Sequence, residues 1–174
     1  MKKLILLRHA KSSWSDPALE DHDRPLNDRG KAAAPVIARW LAEKAHLPDT
    51  VLCSSSKRTR QTVKRMRNEI PTLPEPLIDE QLYHASPKTM RDRLSKLPPD
   101  CDTVMVVGHQ PGLSAFARKL TNGNVSARCR RAFEQFPTAA AAVLRLNIDD
   151  WSKLNYDEAD FIDFAKPREL SDSG

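Results

Sequence analysis

Three continuous aliphatic runs of strand length dominate the hydrophobic pattern of the chain: LILL at 4–7, TVLC at 50–53 and TVMVV at 103–107. Polar residues do not alternate with apolar ones in these runs, as they would in a strand with one face in water. Continuous apolar strands are typical of a parallel sheet that is covered on both faces. We therefore predict that the three runs form buried parallel strands.

Segments with apolar residues at helical spacing separate these strands. The pattern predicts four helices, over residues 27–45, 56–70, 87–97 and 111–123. Asn27 or Asp28 suits the N-cap of the first of them, Pro111 suits the first turn of the last, and Gly123 suits its C-cap.

The alternation of strands and helices predicts an α/β fold: a three-layer sandwich with a mostly parallel central sheet and helices on both faces. A length of 174 residues favours a single domain, 1–174. Residues 138–148 are predicted to form a further strand. Residues 159–165 alternate roughly with period two, which predicts a half-covered edge strand. The last residues, RELSDSG at 168–174, are predicted to be a frayed tail.

Composition narrows the class of protein. Charged residues make up 29% and hydrophobic residues 40%, as in a soluble globular protein. No apolar run approaches the roughly 18 residues of a membrane span, and the N-terminal run breaks at Arg8, too early for a signal peptide. Cys53, Cys101 and Cys129 lack metal-ligand spacing and are predicted to be reduced thiols in the core. We therefore expect a cytoplasmic protein.

The three buried strands have polar ends of related composition. The first runs into Arg8 and His9, the third into His109, and the second into SSSKR, which contains Arg58. The carboxyl ends of parallel strands meet at the edge of the sheet where ligands bind. We therefore expect these four side chains to lie together, although they are far apart in the sequence.

Two arginines and two histidines at one sheet edge favour an anionic ligand. A guanidinium matches a phosphoryl group with two parallel hydrogen bonds, and helix N-termini attract the same charge. An imidazole can also attack phosphorus while the arginines neutralise the transferring group. No GxxxxGK[ST] phosphate-binding loop and no acidic metal cluster is present in the sequence. The site is therefore predicted to need no metal and no cofactor.

Three segments in this order resemble the histidine phosphatase superfamily: RHA at 8–10, SSSKRTRQT at 54–62 and VVGHQPGL at 106–113. Within that superfamily, the chain is most similar to the small SixA-type phosphohistidine phosphatases. The resemblance covers almost the whole chain and implies a phosphoglycerate mutase-like fold. Further segments support it: DHDRPLNDRG at 21–30, EQLYHAS at 80–86 and DFIDFAKPREL at 160–170.

The resemblance implies a role for each matching residue. His9 would be the nucleophile that carries the phosphoryl group, and Arg8 and Arg58 would hold the phosphoryl oxygens. His109 would be the second histidine, bound to the phosphoryl group and stabilising its charge. Ser15 stands where many relatives have an asparagine that contacts phosphate, so it would be a further substrate-binding residue.

The chain departs from the superfamily where a general acid is expected. No match to the glutamate motif of the mutases is present, and only Glu80, Asp21 and Asp23 are candidates. Phosphohistidine has a nitrogen leaving group that can be protonated beforehand, so its hydrolysis depends less on such an acid. The 50 residues between Arg58 and His109 are too few for a lid, which predicts an open site.

The predicted function is therefore a metal-independent phosphohydrolase that works through a phosphohistidine intermediate on His9 and acts on phosphohistidine in a protein. The alternatives are a phosphatase of small phosphomonoesters, then a phosphomutase or a non-catalytic module that binds a phosphorylated ligand. The net charge of +5 suits a phosphorylated partner. The basic stretch at 57–67 is predicted to be a solvated helix face, and an acidic partner protein is the next alternative. Nucleic acid is not an expected partner, since no aromatic residues interleave the stretch, and neither is a membrane.

Four further side chains near these motifs receive weaker predictions. Trp14 is expected to line the entrance of the site. His22 and His84 could line the rim of the site, although a surface or packing role is favoured for both. His46, past a helix end, is expected to be solvated.

Overall fold

The structure, a computed structural model, describes residues 1–171. Within this range the chain forms a single seven-stranded sheet with the strand order β3-β2-β4-β1-β6-β7-β5. The strands are β1 Lys2–Arg8, β2 Thr50–Ser54, β3 Leu77–Asp79, β4 Thr103–Gly108, β5 Thr121–Val125, β6 Ala141–Leu146 and β7 Ala159–Ala165. The helices are α1 Asp28–Glu43, α2 Lys57–Glu69, α3 Pro87–Leu94, α4 Gly112–Leu120, α5 Ala127–Arg130 and α6 Pro167–Ser171.

The sheet is mostly parallel, as the continuous aliphatic runs predict. Strand β1 pairs in parallel with β4, β4 with β2, β2 with β3, and β7 with β5. Strand β6 is antiparallel to both of its neighbours, β1 and β7. The three strands predicted from the aliphatic runs are therefore adjacent, and their carboxyl ends lie side by side.

Helices cover both faces of the sheet, which confirms the three-layer sandwich. Alternate residues of β1 point to opposite faces, so both faces of this central strand are apolar. One cluster contains residues of α3, α4 and α5 and includes Leu4, Leu6, Met90, Phe116 and Cys129. The other contains residues of α1 and α2 and includes Ile5, Leu7, Ile37, Val63 and Met66. These buried clusters hold β1 rigidly up to its polar end.

The structure corrects two predictions on the side of the sheet beyond β6. Helix α4 ends at Leu120, and Gly123 does not cap it but lies in β5 with a φ of 84°. The segment 121–125 pairs with β7 instead, because a partner strand is available there to satisfy its backbone groups. Consequently, β7 is not the edge strand that its alternation predicted: β5 lies outside it.

The C-terminal segment is also more ordered than predicted. Residues 167–171 form α6, and Leu170 packs against the cluster under α1 and α2. The remainder of the predicted frayed tail, 172–174, lies outside the described residues. Within residues 1–171, no helix is both long and apolar enough to cross a membrane.

Buried polar and sulfur-containing residues test two further predictions. Cys53, Cys101 and Cys129 are free and buried, which confirms the prediction of core thiols. The prediction for His46 is wrong, because this side chain is buried. Its Nε2 lies 3.0 Å from Asp163 Oδ2, and its Nδ1 lies 3.1 Å from Lys3 Nζ. His46 therefore links α1 and the two strands that carry Lys3 and Asp163 through polar contacts.

Candidate active site

The four predicted site residues meet at the carboxyl edge of β2, β4 and β1. Arg8 ends β1 opposite Gly108 of β4, and the His9 backbone N–H donates to the Gly108 carbonyl at 3.1 Å. This pairing brings the His9 and His109 ring centroids to 5.3 Å from each other. Arg58 lies in the first turn of α2, directly after β2. All four line one cavity of about 350 Å³.

Helix α2 places its first turn at the cavity for a local reason. Ser56 caps the helix by accepting a hydrogen bond from the Thr59 backbone N–H. One turn further on, the Thr62 hydroxyl accepts a hydrogen bond of 2.9 Å from the Ala10 backbone N–H. The segment that carries His9 is thereby fixed to the helix that carries Arg58.

His9 is only 7% exposed and has a defined tautomer. Its Nδ1 lies 2.7 Å from the Ala10 carbonyl oxygen. Because a carbonyl can only accept, Nδ1 carries the hydrogen, and Nε2 of the neutral ring keeps its lone pair. Burial lowers the pKa of His9 to about 4; the Ala10 hydrogen bond opposes this shift, and the charges of Arg58 and Arg8 add to it. The imidazole is therefore neutral across the physiological pH range.

His109, which is 6% exposed, has the opposite tautomer. Its Nδ1 lies 3.3 Å from Arg58 Nη2, and its Nε2 lies 2.8 Å from the Ser54 hydroxyl. A guanidinium can only donate, so Nδ1 accepts and Nε2 carries the hydrogen that bonds to Ser54. Burial, followed by the neighbouring His9 and Arg58, lowers the pKa of His109 to about 2.

The two arginines leave the cavity with uncompensated positive charge. Burial and the charge of Arg58 lower the pKa of Arg8. Arg8 donates from Nη1 to the Phe136 carbonyl at 3.0 Å, but its buried Nε has no hydrogen-bond partner among the described residues. Arg58, 5% exposed, contacts a carboxylate at Asp21, with Nη2 at 3.0 Å from Oδ2. An anion in this cavity would meet two guanidinium groups with only one nearby carboxylate.

Asp21 connects Arg58 to two aromatic side chains at the side of the cavity. It accepts hydrogen bonds from Arg58 and from the Tyr83 hydroxyl, and its Oδ2 lies 3.5 Å from His84 Nε2. Burial disfavours the ionised carboxyl, but the hydrogen bonds from Tyr83 and Arg58 outweigh it and lower the pKa of Asp21. Asp21 is therefore a carboxylate at neutral pH and cannot donate a proton.

His84 belongs to the cavity lining, the less favoured of the two roles that the sequence left open for it. Its ring stacks on Tyr83 with centroids 4.1 Å apart and meets the edge of His109 at 5.1 Å. It adopts a φ of 51°, an uncommon conformation for a residue other than glycine. Its side chain is 55% exposed, so it lies between the buried histidines and solvent. His84 therefore lies at the rim of the site, and it also packs against Tyr83.

Two of the three candidate acids lie away from the cavity. Asp23 is exposed, and its Oδ1 lies 3.6 Å from His22 Nδ1. Glu80 is also exposed and lines a separate depression beside β3. His22 donates to or accepts from the Ser55 hydroxyl at 2.9 Å. Of the candidates, only Asp21 reaches the site.

Ser15 is the one predicted site residue that the structure does not bring to the cavity. It is exposed, and its hydroxyl lies 2.9 Å from the Ser13 hydroxyl; among the described residues it is not part of the lining. Ser12 lines the cavity instead, because residue 12 forms a β-bridge with Leu26 that turns the following residues outward. The prediction of Ser15 as a phosphate contact therefore has no geometric support.

Four lining residues escaped the sequence analysis. They are Lys11, Ser12, Gln110 and Thr138. Three of them directly follow the RHA and VVGH motifs, so proximity to a motif was the one indication available for them. Thr138 precedes β6 and reaches the cavity through the sheet order alone, since the Ala139 N–H donates to the Arg8 and His9 carbonyls at 3.0 Å each.

The cavity opens to solvent past Lys11, Trp14 and His84, all of which are exposed lining residues. Trp14 is 70% exposed, and the Arg24 guanidinium lies 3.8 Å from its ring centroid. The expectation that Trp14 lines the entrance is confirmed.

Between Arg58 and His109 the described chain adds β3, α3 and one short 3-10 helix besides β4. Within residues 1–171, no group of three or more His, Cys, Asp or Glu side chains is arranged to hold a metal ion.

Known proteins resemble the chain in sequence and in fold. The model of the histidine phosphatase superfamily (branch 1) matches residues 4–86. An uncharacterised protein of Mycobacterium tuberculosis is 37% identical over 166 residues, which cover 93% of this chain and 100% of the relative. The residues that match the family model include the polar ends of β1 and β2.

Two solved structures resemble this one over nearly the whole chain. The candidate phosphohistidine phosphatase SixA from Nakamurella multipartitia is 28% identical with a TM-score of 0.83, and covers 95% of this chain and 96% of its own. The corresponding SixA from Agrobacterium tumefaciens is also 28% identical, with a TM-score of 0.76, and covers 95% of this chain and 98% of its own.

Proposed function

Because the chain belongs to the histidine phosphatase superfamily (branch 1) and is a phosphatase of the SixA type, we propose that it hydrolyses phosphohistidine in a protein through a covalent intermediate on His9. In this proposal Arg8, Arg58 and His109 bind the phosphoryl group, and no metal takes part. The observation that carries it is a neutral, buried imidazole that lines one cavity together with two guanidinium groups. That combination provides a nucleophile and the charge that its phosphorylated product needs.

Nε2 of His9 is the attacking atom in this proposal. Nδ1 is committed to the Ala10 carbonyl at 2.7 Å, so the lone pair of the neutral ring is on Nε2. Attack forms the Nε2–P bond as the bond from phosphorus to the substrate nitrogen breaks. Water then attacks the phosphorus of phospho-His9, which releases inorganic phosphate and restores the neutral imidazole.

Charge on the transferring phosphoryl group is balanced by the two arginines. Arg8 lines the cavity, and its positive charge attracts an incoming phosphoryl oxygen. Arg58 reaches the same cavity and donates to Asp21 from both terminal nitrogens, Nη1 to the carbonyl oxygen at 2.6 Å and Nη2 to the carboxylate at 3.0 Å, which fixes the orientation of its guanidinium. His109 is neutral in the free site, and an approaching phosphoryl dianion favours proton uptake by this ring, which would then donate to an oxygen.

The substrate class follows from the openness of the cavity and from its acid-base groups. The cavity opens past exposed side chains, so a phosphoryl group carried on the surface of another protein can approach His9. Asp21 is ionised, and Asp23 and Glu80 lie elsewhere, so no carboxyl group here protonates a leaving alkoxide. Phosphohistidine needs no such donor, because its leaving nitrogen can be protonated before attack.

The free, buried cysteines agree with a reducing compartment, and the proposal places the enzyme in the cytoplasm.

A panel of three substrates tests the proposed function in the presence of a metal chelator. The enzyme should release phosphate from a histidine-phosphorylated phosphotransfer domain much faster than from p-nitrophenyl phosphate or phosphoglycerate. Comparable kcat/KM values for the small esters would contradict the protein substrate. Loss of all activity with the chelator, restored by a divalent metal, would contradict the metal-independent mechanism.

One observation favours the hydrolysis of small phosphomonoesters as a second candidate function. His84 lines the cavity with its Nε2 3.5 Å from the Asp21 carboxylate, an arrangement that orients the ring towards the site. An imidazolium can pass a proton to a leaving oxygen and later recover one from the attacking water. His84 would then supply the acid that esters need and that no carboxyl group in the cavity provides.

His84→Gln should therefore affect substrates according to their leaving groups. We expect hydrolysis of phenyl phosphate to fall about 10²-fold, the lower range for general acid catalysis, while hydrolysis of phosphohistidine falls less than about threefold. Activity towards p-nitrophenyl phosphate, a better leaving group, should fall by an intermediate factor. Steady-state kinetics on the three substrates checks this, with His22→Gln as the matched control outside the lining. An equal loss on all three substrates would show that His84 only supports the cavity structurally.

A further inference from the structure

A second and larger cavity adjoins the active site. Its volume is about 610 Å³, and it shares Lys11 and Thr138 with the cavity that contains His9. We call it the basic groove; it lies between the first half of α1, the segment 135–138 and the start of α6. Its other lining residues are Arg29, Ala32, Ala33, Val36, Gln135, Pro137, Lys166, Pro167, Arg168 and Glu169.

The basic groove has an excess of positive charge. Lys11 and Arg29 are exposed, and neither has an acidic partner among the described residues. Glu169, the one acidic residue of the lining, is already bound by Arg131, with oxygen–nitrogen distances of 2.6 and 2.8 Å, and lies 3.5 Å from Lys166. The negative charge in the groove is thus committed to ion pairs, while the charges of Lys11 and Arg29 are not.

An apolar stripe runs along the same wall. Ala32, Ala33 and Val36 follow Arg29 on α1 at helical spacing, three, four and seven residues further on. Ala32 is exposed and the other two are half-buried, so this part of α1 has no complete cover. A stripe of small apolar residues that begins with a cation suits an amphipathic helix with acidic and aliphatic side chains.

The groove and the active site are parts of one rigid surface. A Cβ atom on Gly30 would lie 2.2 Å from the Lys11 carbonyl oxygen, so only glycine lets α1 approach the segment after His9 this closely. The Asn27 N–H donates to the same carbonyl at 3.0 Å, and the Asn27 side chain caps α1 by accepting from the Gly30 N–H at 2.9 Å. The groove is therefore held at a constant position relative to His9.

We propose that the basic groove binds an acidic, amphipathic helix of the phosphorylated protein substrate, next to the phosphohistidine in its sequence. This inference rests on the proposed function, since it needs a phosphoryl group bound at His9. A substrate held there must leave the cavity over its rim, and past Lys11 and Thr138 it enters the groove. Contacts remote from the reacting phosphorus then select protein substrates, and their opposite charge speeds encounter.

A pair of synthetic phosphohistidine peptides tests the proposal. Both form the same amphipathic helix beside the phosphohistidine, but one has Glu on its polar face where the other has Gln. We expect the wild-type enzyme to prefer the Glu peptide by about tenfold in kcat/KM, and Arg29→Glu to remove that preference. Arg29→Glu should leave turnover of p-nitrophenyl phosphate unchanged, because this probe does not reach the groove.

Two further variants separate the groove from general charge effects. Ala32→Trp fills the groove without changing the charge and should lower kcat/KM for the Glu peptide while sparing p-nitrophenyl phosphate. Arg65→Glu changes the net charge by the same amount on the exposed face of α2, and the preference should survive it. Loss of the preference in Arg65→Glu to the same extent would overturn the proposal in favour of a diffuse basic surface.

The outcomes distinguish a failure of this inference from a failure of the proposed function. If the enzyme hydrolyses both peptides equally and Arg29→Glu and Ala32→Trp change nothing, the groove is not a docking site, although the phosphohistidine phosphatase stands. If neither peptide is hydrolysed while p-nitrophenyl phosphate is, the proposed substrate class itself is wrong.

Discussion

His9→Ala will abolish phosphate release from every substrate, with a loss on the order of 10⁴-fold or more, as expected when a covalent nucleophile is removed. No other side chain is placed to take over, because the other buried histidine of the cavity, His109, accepts from Arg58 at Nδ1 and bonds to Ser54 through Nε2. Wild-type enzyme quenched in alkali during turnover should carry phosphate on His9, detectable as a ³¹P resonance of the denatured protein. The variant should carry none.

The interpretation of this result depends on the variant still folding and binding anions. Vanadate or inorganic phosphate should still bind to His9→Ala, because Arg8 and Arg58 remain and binding a phosphate analogue needs no nucleophile. His22→Ala is the matched control, a histidine close to the site but outside the cavity lining. A phosphoenzyme signal in His9→Ala, or turnover within tenfold of wild type, would show that the nucleophile is another residue.

Arg58→Ala will lower kcat/KM by roughly 30- to 1000-fold, equivalent to about 2–4 kcal/mol of transition-state stabilisation for one preorganised donor. The guanidinium is buried, lies at the edge of His109 and is oriented by Asp21, so it is already arranged to receive the charge that develops on phosphorus. Arg58→Lys should recover only part of the loss, since an ammonium keeps the charge but not the planar fork. Arg65→Ala, on the exposed face of the same helix, should be close to wild type.

The same variant should change the pH profile in a defined direction. The charge of Arg58 helps to hold the pKa of His9 at about 4, so its removal raises that pKa. Activity needs the neutral imidazole and is lost as pH falls through the pKa of His9; the acid limb of kcat/KM should therefore move to higher pH in Arg58→Ala. Arg65→Ala should keep the limb at its wild-type position. A loss of activity without any movement of the limb would separate Arg58 from His9 and assign it to substrate binding alone.

The local sequence pattern predicted the structure correctly where the composition of a single segment decides whether that segment is buried. The aliphatic runs around Leu6, Cys53 and Val106 predicted buried parallel strands, because a strand without alternation has to be covered on both faces. The residues at the ends of those strands, including Arg8 and His109, could then be assigned to one edge of the sheet. The family resemblance supplied their proposed roles, which the geometry accommodates but which the mutations above must test.

Predictions failed where the outcome depended on a distant partner. Gly123 reads as a helix cap until β7 offers hydrogen bonds to the segment around it, and His46 reads as solvated until Asp163 and Lys3 lie beside it. In each case the decisive neighbour is separated in sequence, so no local periodicity reports it.

The sequence by itself determined the strands, the helices that cover them and the four cationic or titratable groups at their ends, because burial and strand direction follow from local composition. Only the tertiary structure decided the state and surroundings of those groups. The Ala10 carbonyl selects the tautomer of His9, Asp21 joins Arg58 to His84, and Gly30 sets α1 and its groove against Lys11. These three contacts join segments that are distant in the sequence, and the order of the strands in the sheet brings those segments together.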